Sequence, residues 1–178
     1  MIQAGSMGVP FVPIRGLAGT DVFKRRDDMM IVPNPFDSEE DIVLARAQNP
    51  DVAILHGLKA DREGNAILRR HGEDLVVAQA SRKVVLTVEE IVDKVSPDDP
   101  DGTYISTINV TAVVHAPFGA HPTACPPRYE MDKRQIKAYL DCSGNDEAFQ
   151  AYLDKYVHSH KTHEEYLERF GVASAAPR

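Results

Sequence analysis

The chain has 178 residues, of which 43% are hydrophobic and 26% charged, with a formal net charge of −7 and a pI near 5.5. This length fits one domain with a single core. The acidic balance argues against a nucleic-acid partner, because tracking phosphates needs a clustered basic surface. No apolar run is long enough for a membrane span, and the N-terminus lacks a signal-peptide pattern. We therefore expect a cytoplasmic protein without a membrane partner, in which Cys125 and Cys142 are free thiols.

Residues 1–21 begin with an apolar piece and continue as a loop rich in glycine and proline. Gly8, Gly16 and Gly19 permit positive φ angles and a close approach of the backbone to a ligand. Arg15 is the strong cation of this loop. Two interpretations stay open: the loop binds an acidic or phosphate-bearing ligand, or it is a rigid turn with a surface arginine.

The rest of the chain alternates between strand and helix signals. Two prolines predict a turn at 32–36, and the acidic run at 37–41 is interpreted as a connector. Strands are predicted at 42–45, 52–56, 67–68, 84–88, 104–108 and 109–115. The continuous apolar run at 52–56 is typical of a strand that is buried on both faces. Helices are predicted at 73–82, 133–140, 146–157 and after Thr162, where Glu165 would complete a capping box.

This alternation predicts an α/β fold, with a mainly parallel sheet flanked by helices, in one domain at 1–171 followed by a tail at 172–178. In such sheets ligands bind beyond the carboxyl ends of the strands. The first places to search are therefore the loops after Leu55, Val88 and Val114, the last of which leads into an irregular proline-rich segment at 116–128.

Several residues at these strand ends have side chains suited to chemistry. Glu89 and Glu90 are carboxylates able to act as acid, base or nucleophile. Adjacent strand residues point to opposite faces, however, so a matched catalytic pair is excluded and a structural role is favoured. His56 and His121 suit polar anchoring of a substrate, although a structural histidine is the favoured interpretation of each.

The histidine-rich segment near the C-terminus does not have the spacing of a metal site. A separation of two places His158 and His160 on different helix faces, and the pattern around His163 matches no known set of ligands. Cys125 and His121 are near in sequence, but this alone does not make a nucleophilic pair. We predict no metal, no bound cofactor and no catalytic residue on this chain.

A linked set of motifs carries a family resemblance. KADREGNAIL at 59–68, the segment 78–81 and VVLTVEEIV at 84–92 resemble the α subunit of family I CoA-transferases. Further motifs resemble the glutaconate CoA-transferase A subunit in particular: MGVPFVP at 7–13, NPF at 34–36, DVAILH at 51–56, APFGAHP at 116–122, and HEEYL at 163–167 with Gly171.

The resemblance implies a CoA-transferase-like α/β fold without the Gly-rich half that precedes this region in the family. It implies a heteromer in which the acyl-CoA thioester is attacked by a glutamate of a partner β subunit, with coenzyme A as a substrate. This chain would complete the cleft and bind acyl-CoA and a carboxylic, dicarboxylic or oxo acid. Substrate-binding residues are predicted, by position, at Gly8, Arg15, Gly16, Gly19, Asn34 and His121.

Relatives on the same scaffold catalyse other thioester reactions, and fold similarity does not choose among them. One alternative is a CoA-thioester hydrolase of the ring-opening, steroid-catabolism type, or a decarboxylase. Another is a non-catalytic remnant that only binds a partner subunit.

Overall fold

The computed structural model describes residues 1–70 and 72–170, which contain ten strands and six α-helices arranged around three sheets. The sheets differ in direction: one is antiparallel, one is parallel, and one is mixed. The α/β class and the parallel sheet flanked by helices are confirmed. The division of the strands among three small sheets was not predicted. No helix of the described residues is long and apolar enough to cross a bilayer.

The antiparallel sheet consists of β1 (Phe11–Ile14), β2 (Met29–Asn34) and β3 (Asp37–Arg46) in the order β1-β3-β2, and helix α1 (Ile2–Ser6) contacts β1. The predicted turn at 32–36 is wrong in its extent, because β2 continues through Pro33. Proline is tolerated there, since β2 is an edge strand. The predicted acidic connector is also wrong, because β3 extends through it and pairs there with β2. The short helix α2 (Asp21–Lys24) follows β1 and precedes β2 in the chain.

The parallel sheet forms the centre of the main core, in the order β10-β7-β4. Its strands are β4 (Ala53–Gly57), β7 (Val84–Val88) and β10 (Ala112–His115), and helix α3 (Asp74–Ala80) packs beside β4. Alternate residues of β7 are buried, with Leu86 fully enclosed. The two-sided burial expected for β4 is wrong, because Ile54 is 76% exposed on its outer face.

The mixed sheet has the order β8-β5-β6-β9 and closes a second part of the core. Its strands are β5 (Lys59–Asp61), β6 (Ala66–Leu68), β8 (Ile91–Val92) and β9 (Thr103–Ile105). The strands predicted at 104–108 and 109–115 are corrected here. A 3-10 helix at Thr107–Asn109 separates them, because the Ser106 hydroxyl accepts the N–H of Ile108 and starts a turn.

Three helices complete the described chain, and each begins at a polar cap. They are α4 (Lys133–Cys142), α5 (Asp146–Tyr156) and α6 (His163–Phe170). Thr162 accepts the N–H of Glu165, as predicted, but the Glu165 carboxylate accepts from Lys161 rather than from Thr162. The predicted helix stop at Gly171 and the tail at 172–178 lie outside the described residues.

Leu86→Ala tests the importance of the central strand of the parallel sheet. Leu86 has no exposed surface, so its truncation removes apolar contacts and leaves a cavity. We expect the free energy of unfolding to fall by about 2–5 kcal/mol, measured by urea denaturation. Ile54→Ala on the neighbouring strand is the matched control, and we expect a loss under about 1 kcal/mol. Equal losses from the two variants would contradict this location of the core.

Candidate functional site

An open groove runs along one face of the antiparallel sheet. It encloses about 580 Å³ and is lined mainly by apolar side chains, among them Phe11, Leu44 and the highly exposed Phe36. Arg15 and Asn34 lie at its rim. Two residues predicted to bind substrate are therefore brought to one surface, although β1 and β2 are far apart in sequence.

Glu40 joins these two residues. Its carboxylate lies 3.3 Å from Arg15 Nε and accepts a hydrogen bond of 2.7 Å from Asn34 Nδ2. The Arg15 side chain is 83% exposed, so this ion pair is weak and leaves the guanidinium able to exchange partners. The groove thus combines apolar walls with one cation that an incoming carboxylate could compete for.

The three glycines that were predicted to bind substrate flank β1. Gly8, Gly16 and Gly19 have φ angles of +70°, +95° and +76°, which confirms the backbone conformation expected of them. The loop after β1 closes where Thr20 caps α2 and donates its hydroxyl to the carbonyl of Leu17. The part these glycines play in binding stays a prediction.

A second cluster lies at the carboxyl ends of the parallel strands, around Glu89. Its side chain is 7% exposed and has three hydrogen-bond partners, one in β4 and two in the proline-rich loop and its end. Tyr129 Oη donates to Oε1 at 2.7 Å, and the Phe118 N–H donates to Oε2 at 2.7 Å. His56 Nε2 lies 2.5 Å from Oε1, while its Nδ1 lies 2.8 Å from Thr87 Oγ1. Both oxygens of the carboxylate are thus engaged.

Glu90 follows Glu89 in the connection between β7 and β8 but takes no part in the cluster. It is exposed and pairs with Arg128 at 2.7 Å. The exclusion of a matched carboxylate pair is therefore confirmed. The sequence pattern did contain the signal for the Glu89 cluster, since a histidine and a glutamate each follow a buried strand. It could not reveal that Phe118 and Tyr129 close the cluster.

His121 lies in the proline-rich loop and contacts the C-terminal helices. Its Nδ1 lies 2.5 Å from Tyr166 Oη, and its Nε2 lies 3.6 Å from Asp132, the residue that caps α4. Burial lowers the pKa of His121, and the nearby Asp132 carboxylate offsets only part of this shift. No described contact joins His121 to the groove, so the six predicted site residues do not form one constellation. Its predicted role in substrate binding remains a prediction.

The Glu89 cluster includes a potential set of metal ligands. Donor atoms of His56, Glu89 and Cys125 lie within 4.8 Å of one another. Burial, with the Glu89 charge, raises the pKa of the Cys125 thiol to about 11, so the thiol retains its proton. Because both Glu89 oxygens and both His56 ring nitrogens already have hydrogen-bond partners, the arrangement fits an internally satisfied polar cluster better than a metal site.

Electrostatics hold the Glu89 carboxylate in its charged form. Burial raises its pKa, but the hydrogen bonds from His56, Phe118 and Tyr129 outweigh burial and bring the pKa below the usual value. Burial and the bond to Glu89 raise the pKa of Tyr129 strongly, so this phenol remains a donor. A charged acceptor surrounded by donors is the stable state of this cluster.

The family model for coenzyme A transferase matches residues 1–116, which is well over half of the chain. This chain belongs to the coenzyme A transferase family. The match includes the groove and the strands that carry His56 and Glu89, and the resemblance drawn from the motifs is confirmed.

Relatives within the coenzyme A transferase family include two A subunits. The chain is 33% identical over 92% of its length to the 3-oxoadipate CoA-transferase A subunit of Pseudomonas knackmussii. It is 32% identical over 97% of its length to the glutaconate CoA-transferase A subunit of Acidaminococcus fermentans. It is also 28% identical over 88% of its length to a cholesterol ring-cleaving hydrolase IpdA subunit of Rhodococcus jostii.

Solved structures of the family agree with the fold described above. Glutaconate coenzyme A-transferase from Acidaminococcus fermentans matches 97% of this chain with a TM-score of 0.85 and 29% identity. A variant of the decarboxylase AibA/AibB matches 86% with a TM-score of 0.74 and 32% identity. The chain spans 57% and 59% of the two A subunits, and 60% and 56% of the two solved chains.

The lowered pKa of Glu89 predicts a loss of stability in acid. The unfolded chain binds the proton more readily, so this stabilisation is complete above the ordinary pKa of 4.5 and is lost as the pH falls through the folded value. We expect the gap in unfolding free energy between wild type and Glu89→Gln to shrink between about pH 6 and pH 3. Urea denaturation at each pH measures it. A gap that does not change with pH would contradict an ionised Glu89.

Proposed function

We propose that this chain acts as the A-subunit part of a CoA-transferase, which moves CoA between an acyl-CoA and a carboxylic acid. The similarity to glutaconate coenzyme A-transferase over 97% of the chain carries this proposal. CoA enters and leaves as a substrate. The cytoplasmic location stays a prediction, while Cys125 and Cys142 are free cysteines in the structure.

In this proposal the nucleophile is a glutamate of a partner β subunit. Its carboxylate attacks the thioester carbonyl, giving an acyl-glutamyl anhydride and CoA thiolate, which then attacks the glutamyl carbonyl and releases the first acid. The acceptor carboxylate then attacks the glutamyl-CoA thioester, and the same steps in reverse transfer CoA to the acceptor acid. In support, Glu89 and Asp61, which are buried carboxylates of the described residues, are already engaged in hydrogen bonds. Glu89 accepts from three residues, and Asp61 accepts from Glu63, Asn65 and Val95.

The part of this chain would be to bind and orient the substrates. The groove suits the apolar portion of an acyl group, and Arg15 at its rim suits a carboxylate that displaces Glu40. Holding both acids in reactive geometry supplies much of the rate enhancement in a two-substrate transfer.

Co-expression with a candidate β subunit of the coenzyme A transferase family tests the transfer. We expect the purified complex to move CoA from acetyl-CoA to glutaconate or another carboxylic acid, detected by chromatography of the acyl-CoA products. Free CoA released at the same rate without an acceptor acid would instead support the hydrolase alternative, and loss of CO₂ from the acyl-CoA would support the decarboxylase. A stable complex without turnover of any kind would support a role in partner binding alone.

Arg15→Ala tests substrate binding at the groove. We expect the KM for the carboxylate acceptor to rise about 5- to 30-fold while kcat changes little, because a uniform binding contact is lost. Steady-state kinetics of the complex measure both constants. Arg25→Ala removes an exposed cation at the end of α2 and serves as the control. An unchanged KM in Arg15→Ala would contradict the predicted role of Arg15.

A further inference from the structure

The proline-rich segment at 116–128 and the adjoining Tyr129 form a loop, 116–129, that is held in a conformation its own sequence does not favour. Phe118 has a φ angle of +57°, in the left-handed region that bulky residues rarely adopt. Such outliers persist only where surrounding groups fix them, and they cluster at functional sites. The groups that fix this one are visible: the Phe118 N–H donates to Glu89, and its ring packs on Tyr129 with centroids 4.9 Å apart.

The loop turns back across the ends of the parallel strands. The Ala116 N–H donates to the Val88 carbonyl at 2.9 Å, which continues the pairing of β10 with β7. Two residues later the chain reaches Glu89, and Gly119 lies against the ring of His56. A β-carbon on Gly119 would lie 3.0 Å from His56 Cε1 and 2.8 Å from the Ala116 carbonyl oxygen. The loop thus covers β7 and β4 at close range.

The same carboxylate holds the far end of the loop. Tyr129 Oη donates to Glu89 and accepts the Ala120 N–H at 3.0 Å. From the opposite side, His163 Nε2 donates to the Pro117 carbonyl at 2.6 Å. The start and the end of the loop therefore meet at Glu89, while α6 holds it from outside.

We propose that Glu89 is a positioning residue that holds the 116–129 loop over the carboxyl ends of the parallel sheet and thereby sets one wall of the cleft in which the thioester reacts. This inference rests on the proposed function, which supplies the reacting thioester. It places the reaction at the carboxyl ends of the parallel strands, because that edge of such a sheet is where ligands bind. Glu89 acts on the loop through Phe118 and Tyr129 rather than on the substrate.

Glu89→Gln is the informative substitution, because it keeps the shape and removes one acceptor. The new amide NH₂ must face either the Phe118 N–H or the groups that contact the other oxygen. In either orientation a hydrogen-bond donor then faces another donor, and a hydrogen bond is lost. Glu90→Gln is the matched control, since Glu90 is adjacent, exposed and paired only with Arg128 among the described residues. Tyr129→Phe is the second variant, which retains the ring but loses the hydroxyl between Glu89 and Ala120.

The wild-type complex, which contains the partner β subunit, is compared with the three variant complexes by amide hydrogen exchange and by CoA-transfer kinetics. In Glu89→Gln we expect exchange at Phe118 and Ala120 to rise about tenfold or more. We expect kcat/KM to fall about tenfold or more, mainly through kcat, since a displaced wall disturbs the reactive geometry. Tyr129→Phe should show smaller changes of both kinds, and Glu90→Gln should stay within about twofold of wild type.

The outcomes separate this inference from the function on which it rests. Faster loop exchange with unchanged kinetics in an active Glu89→Gln complex would overturn the positioning role and leave the transferase intact. Unchanged exchange at Phe118 would overturn the hold on the loop, whatever the activity. If the wild-type complex transfers no CoA, the proposed function is wrong, and so is the inference that the loop forms a wall of the reaction cleft. If Glu89→Gln does not fold, faster exchange and lower kcat in Tyr129→Phe support the proposal, and wild-type values in that variant overturn it.

Discussion

A buried negative charge on Glu89 constrains the centre of this structure. Removing a carboxylate from water costs several kcal/mol unless hydrogen bonds replace its hydration. Here His56, Phe118 and Tyr129 supply them. Because His56 lies in β4 while Phe118 and Tyr129 lie near opposite ends of the proline-rich loop, satisfying the charge requires β4 and both ends of this loop to meet beside the end of β7.

The geometry of the proline-rich loop follows from this point. The left-handed conformation of Phe118 costs about 1–3 kcal/mol, and a hydrogen bond to a charged acceptor contributes about 1.5–3 kcal/mol. The two magnitudes are comparable, so Glu89 can offset the strain. His163 and His121 then join the loop to α6 and α4, which connects the C-terminal helices to the core of the parallel sheet.

The groove on the antiparallel sheet has the opposite physical character. Its ion pair between Arg15 and Glu40 is exposed and weak, and its apolar side chains lie open to solvent. A surface of this kind can exchange its contacts for those of a ligand at little cost. The rigid Glu89 cluster and the open groove thus suit different tasks, positioning in the first case and binding in the second, within a chain of the coenzyme A transferase family.

Local sequence patterns predicted those features that local interactions determine. The buried strand β7, the Thr162 cap of α6 and the positive φ angles of the loop glycines depend on residues near in sequence. The motifs identified the family for the same reason. The extent of β2 and β3 was mispredicted, because cross-strand pairing overrode the turn and charge signals of 32–41.

The sequence by itself therefore determined the fold class, most element positions and the family. Only the tertiary structure decided which side chains meet. Glu89 was visible as an acid at a strand end, yet its partners lie 33, 29 and 40 residues away along the chain. Arg15 and Glu40 are 25 residues apart. Contacts over such separations are set by the packing of sheets and loops against one another, and no periodicity of the chain encodes them directly.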